Sequence, residues 1–164
     1  MLVQVAWAVL GVTIIGGALL AHRSHTAYRV AIGALAVLYL AAGAAVHAWN
    51  LATDVSFSGF ADLSWSSFVT DTWESLVVPH DWVFIGLLVA FEATVGVMVL
   101  FPGRPRRIAL VLILAFHVAL VSFGWVFLAW VVPMVAALVL LLRAEGRSQT
   151  LEAPGPVALH AHHV

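Results

Sequence analysis

Apolar residues run almost unbroken through four long stretches of this chain, separated by short polar segments. A hydrocarbon core about 30 Å thick takes roughly 20 apolar residues as helix. By that measure Leu2 to Ala21, Val30 to Trp49 and Trp82 to Phe101 each predict one span. The last stretch, Ile108 to Leu142, would extend roughly 50 Å as a single helix, which overshoots the bilayer. A hairpin turning at Ser122-Phe123-Gly124-Trp125 divides it into two shorter spans, Ile108 to Ser122 and Val126 to Leu142. The expected fold class is therefore all-α and integral to the membrane, with five transmembrane helices in a single domain over residues 1–147.

The polar segment from Leu51 to Asp81 carries its own pattern. Trp65, Val69, Trp73 and Leu76 recur at helical spacing opposite Ser66, Ser67, Thr70 and Asp71, which predicts a short amphipathic helix lying along the membrane surface. Pro79 is expected to stop it, and Asp81 to cap the following span by accepting from otherwise unpaired N–H groups. The simplest role for this loop is a lid over one end of the bundle, with a partner-docking surface as the alternative. Residues 148–164, with Pro154, Gly155 and Pro156, predict a disordered tail.

Charge orients the chain. All seven basic side chains are arginines, and they fall in two short loops (Arg23 and Arg29; Arg104, Arg106 and Arg107) and near the C-terminus (Arg143 and Arg147). The Leu51–Asp81 loop holds Asp54, Asp62, Asp71, Glu74 and Asp81 and no basic residue. Cytoplasmic loops retain Lys and Arg, so the pattern predicts a cell-membrane protein with its N-terminus outside and its C-terminus in the cytoplasm. The tryptophans agree, all lying at or toward the outer side in that topology, where the ring is apolar and the N–H hydrated. Composition fits: 63% of residues are hydrophobic and 9% charged, against about 25% charged in soluble domains. A net charge of −1 gives no reason to expect nucleic acid. With no cysteine, thiolate ligands and thiol relays within the chain are excluded.

Chemistry concentrates in ionisable residues inside the predicted spans. Glu92 lies near mid-depth of the third, and His47 and His117 lie in the outer halves of the second and fourth; His80 stands at the outer entrance of the third. A carboxylate at a helix centre costs on the order of 3 kcal/mol to insert, so Glu92 should face the bundle interior and be protonated, paired or metal-bound. Three readings follow. His47, His80, Glu92 and His117 have the ligand types of a metal site; His47, Glu92 and His117 could instead hold a haem or a quinone head group. The third reading is a buried hydrogen-bond network without a cofactor. Small residues mark close helix approach: Ala36, Gly43 and His47 share one face, and Leu88, Glu92 and Gly96 another. Pro133 removes one ladder hydrogen bond and should free the carbonyl of Ala129. His22, His25, His160, His162 and His163 read as solvated residues.

The succession Arg29-Val30-Ala31-Ile32-Gly33, a loop with an aromatic helix, Phe91-Glu92-Ala93-Thr94-Val95-Gly96, then Phe101-Pro102-Gly103-Arg104 and an Arg-led apolar hairpin resembles the DoxX family of small four-helix membrane proteins. The resemblance covers residues 29–145. Members carry a glutamate followed by Val-Gly on the second core helix, and Glu92 with Val95 and Gly96 is similar at a spacing two residues different. Leu2 to Ala21 would then be an extra N-terminal span. The resemblance implies an accessory or anchor subunit of a quinone-linked redox complex, more a non-catalytic subunit than an enzyme, with the lipid bilayer and membrane proteins or further copies of itself as partners. It transfers no metal or haem site. Two alternatives remain from the residues alone: a membrane redox protein in its own right, and a proton or small-solute transporter protonated at Glu92.

Overall fold

The computed structural model describes residues 2–152, and every secondary-structure element among them is helical. Five helices are long and apolar enough to cross a membrane, which fits a multi-pass membrane protein. The spans are, in order, Leu2–Leu20, His25–Ala52, Asp81–Met98, Arg104–Leu120 and Trp125–Glu152.

The boundaries move for local reasons. The second span opens at His25 and not at Val30 because Ser24 caps it, its Oγ accepting the Ala27 N–H at 3.2 Å. Arg29 therefore sits on the helix. The fourth opens at Arg104 with Pro105 in its first turn, where a missing N–H leaves no bond unmade. The fifth continues beyond Leu142 to Glu152, so the start of the predicted tail is helical; residues 153–164 lie outside the described residues. Pro133 lies inside this helix as expected.

The acidic loop departs further from expectation. Its helix runs Ser67–Thr72, continues as a π-helical turn over Trp73–Val77, and passes through a 3-10 turn, Val78–His80, straight into the third span. Pro79 does not stop it, because it occupies the first positions of the 3-10 turn, where no donor is required. The Asp81 carboxylate accepts the N–H of the next residue, Trp82, at 2.7 Å. Trp65 precedes the amphipathic helix, and its Nε1 donates to the Val121 carbonyl at 2.6 Å, beside Ser64 Oγ donating to Ser122 at 2.6 Å. The rings of Phe60, Trp73, Phe123 and Phe127 cluster at the same place. Gly124 turns the fourth-to-fifth hairpin at φ 114, and a Cβ there would overlap the Leu63 carbonyl. The acidic loop is thus fastened across that hairpin.

Each span packs on its sequence neighbours, and the first also packs on the fifth, closing a ring. Lipid tails are as apolar as Leu, so helices associate through close contact and not through a hydrophobic force. Small residues supply that contact. At Gly17 a Cβ would stand 2.8 Å from both the Ala27 carbonyl oxygen and the Ala31 Cβ, which is how nearly the first two spans approach. The first span is thus a member of the ring, although it lies outside the family resemblance. Ile14, Leu35, Leu110, Ile113 and Leu138 are buried at the centre, while Val83, Leu87, Val118 and Val132 point outward to where lipid would lie.

Candidate functional site

The second span is not uniformly α-helical. Leu38–Ala45 is a π-helical segment, a wider turn closed by i→i+5 bonds that occurs often at functional sites. It carries Tyr39 and Gly43, and His47 follows one turn later. Trp7 of the first span donates its Nε1 to the Ala42 carbonyl within this segment at 2.9 Å.

Gly43 makes room for Glu92. A Cβ at Gly43 would meet the carboxylate Oε1 at 2.7 Å and Cδ at 2.9 Å, so the acid group lies directly on the backbone of the second span. Glu92 is 4% exposed. Its Oε2 is 2.8 Å from His47 Nδ1, a distance that requires one proton between the two atoms. Its other oxygen has no hydrogen-bond partner among the described residues. The inward-facing carboxylate and its imidazole neighbour follow the sequence reading.

His117 belongs to the same interior, with 2% of its surface exposed. Its Nδ1 lies 2.9 Å from the Ile113 carbonyl and 3.3 Å from the Tyr39 hydroxyl. A carbonyl accepts only, so Nδ1 carries the proton, and Nε2 keeps a lone pair. With Nδ1 acting as donor, the Tyr39 hydroxyl hydrogen is free to point elsewhere. Glu92, Tyr39 and His117 line one cavity of about 40 Å³, together with Trp7, Phe116 and Trp130. That volume holds water, which needs about 10–15 Å³ by the same measure. It is small beside the roughly 300–1,000 Å³ of pockets for larger ligands.

The four residues named as metal ligands are not brought together. His80 is exposed on the acidic loop, its Nδ1 3.0 Å from the Leu76 carbonyl, about 18 Å along the helix from Glu92 at ~1.5 Å per residue. His47 meets one oxygen of Glu92, and His117 meets Tyr39. Among the described residues no group of three His, Asp or Glu side chains is placed to hold a metal ion.

A second polar centre, on the arginine side, was missed. Glu145 is 3% exposed. It accepts from the Tyr28 hydroxyl, from the Gly103 N–H at 2.9 Å and from Arg106 Nη1 at 3.4 Å. Arg106 also donates Nε to Val99 at 2.7 Å and Nη2 to Leu100 at 3.0 Å, and its guanidinium lies 5.8 Å from the Tyr28 ring centre. The arginine is a clamp on the third-to-fourth loop. Leu138 and Leu141 share the buried face with Glu145, so following that periodicity past Leu142 would have found it.

Comparison with protein-family models, curated proteins and solved structures finds no match to this chain.

Proposed function

We propose that this chain is an integral membrane protein whose bundle interior exchanges protons at Glu92, and that it serves as an accessory subunit of a quinone-linked redox assembly. One observation carries the proton reading. The mid-span carboxylate shares a proton with His47 through one oxygen and turns toward a water-sized cavity bearing Tyr39 and His117. A buried carboxylate kept only for structure would have both oxygens satisfied. Here His47 is 22% exposed at its side chain and Glu92 6%, so in this reading a proton arriving at the imidazole passes to Glu92 and on through water to Tyr39 or His117. Intramembrane Asp, Glu and His chains are the usual material of proton relays.

Infrared difference spectroscopy of the purified chain in lipid, stepped in pH, tests this. A carboxyl C=O band that comes and goes with pH and is missing from Glu92→Gln supports the relay; identical spectra for both proteins would overturn it. Net proton flux in proteoliposomes, lost in the same variant, would move the reading from relay to transporter.

The redox-subunit reading rests on the DoxX-like residues, of which Phe91, Glu92 and Gly96 all lie on the span that meets the π-helical segment. Under it the arginine side faces the cytoplasm of the cell membrane and the lid faces outward. Purification in mild detergent should then recover membrane partners in fixed stoichiometry. A chain that stays alone, with cells lacking it unaltered in quinone reduction, would remove this part and leave the proton site standing.

A further inference from the structure

On the arginine side, a cleft of about 430 Å³ opens between the start of the second span and the third-to-fourth loop. Its polar wall is Arg29, His25 and Arg106, and its apolar floor includes Ile32, Leu100 and Pro102. Among the described residues no acidic side chain lines it. Arg106 is offset by Glu145, but Arg29 has no hydrogen-bond or ion-pair partner among the described residues. The cleft is therefore cationic. Arg106 is held rigidly by Val99 and Leu100 and has used only Nε and one N–H each of Nη1 and Nη2, so two of its five donors remain.

The floor has a second character. Gly33 has nothing within 4 Å of where its Cβ would stand, so the apolar floor is open at that point. A soluble anion would use the wall alone. A molecule with a phosphate head and an apolar tail would use both.

We propose that this cleft binds an anionic phospholipid, its phosphodiester on Arg29 and the remaining Arg106 donors and one acyl chain along Ile32, Gly33 and Leu100. Basic recesses between spans at the membrane surface are suited to such head groups. The site is independent of Glu92 and holds whether or not the proton relay does.

Native mass spectrometry of the full chain in neutral detergent tests it, using equal amounts of phosphatidylglycerol and phosphatidylcholine with matched acyl chains. The wild type should retain phosphatidylglycerol preferentially. Arg29→Gln should weaken that retention about fivefold, the value of one arginine at an anionic membrane surface. Gly33→Leu puts a side chain on the open floor, where its Cβ meets no neighbour, and should weaken retention of the lipid, while Arg107→Gln, exposed and off the cleft, should not. Equal retention of the two lipids, an equal loss with Arg107→Gln, or displacement of phosphatidylglycerol by millimolar inorganic phosphate would each overturn the proposal, the last by reassigning the site to a soluble anion.

Discussion

Glu92 and Glu145 are hidden almost equally, at 4% and 3% exposure, yet their surroundings treat them oppositely. Glu145 receives a tyrosine hydroxyl, a backbone N–H and a guanidinium, and those donors come from two separate parts of the chain. Glu92 receives one imidazole and turns its other oxygen to a cavity. A saturated carboxylate locks elements together; one with a free oxygen can change its protonation without dismantling the fold. Burial alone does not separate a clamp from a reactive group. The count of partners does.

The sharpest way to break that contrast is Glu145→Ala. It strands Arg106, whose side chain is 13% exposed, and leaves the Tyr28 hydroxyl and Gly103 N–H without their acceptor. Removing one partner of a buried ion pair costs about 3–5 kcal/mol; Arg106 retains two carbonyls, so a loss of about 3 kcal/mol is expected in denaturant unfolding of the detergent-solubilised protein. The Glu92 infrared band should persist. A loss under about 1 kcal/mol, the size of a single hydrogen bond, would mean that Glu145 is no clamp.

Gly43→Ala comes next and strikes the other carboxylate. Its methyl would press on Oε1 and Cδ of Glu92, and overpacking of a filled interior costs roughly 1–3 kcal/mol. The Glu side chain can yield, so part of the effect should appear as a broken His47 hydrogen bond and a shifted carboxyl band. A stable variant with an unchanged band would show that Glu92 does not rest on the second span.

The difference between these carboxylates was only half legible in the chain. Glu92 announces itself because a lone acid in mid-span must turn inward and find a partner, and His47 shares the matching face of the neighbouring span. Gly43 was visible for the same reason, as a small residue at helical spacing. The π-helical segment was not, since Leu38–Ala45 is an ordinary apolar run and nothing in its composition distinguishes i→i+5 from i→i+4 bonding. Tyr39, which that segment carries to His117, went unseen with it. Glu145 was hidden by charge itself: it lies between Arg143 and Arg147, past the end of the apolar run, and only tertiary contact with Tyr28 and Gly103 buries it. His80 failed in the opposite sense, its chemistry inviting a ligand role that helix length forbids.

His80 therefore supplies the smallest effect and a control for the rest. It is exposed, and its single hydrogen bond is to a carbonyl one turn away, so His80→Ala should change stability by no more than about 0.5 kcal/mol and leave the Glu92 band where it was. His47→Ala, by contrast, deprives Glu92 of its described partner and should shift that band. The pair of substitutions removes the same imidazole from two places on the acidic-loop half of the molecule, so any general effect of losing a histidine cancels. If both variants moved the band alike, His80 would reach Glu92 after all, through a rearrangement of the acidic loop, and the site around Glu92 would have to be redrawn.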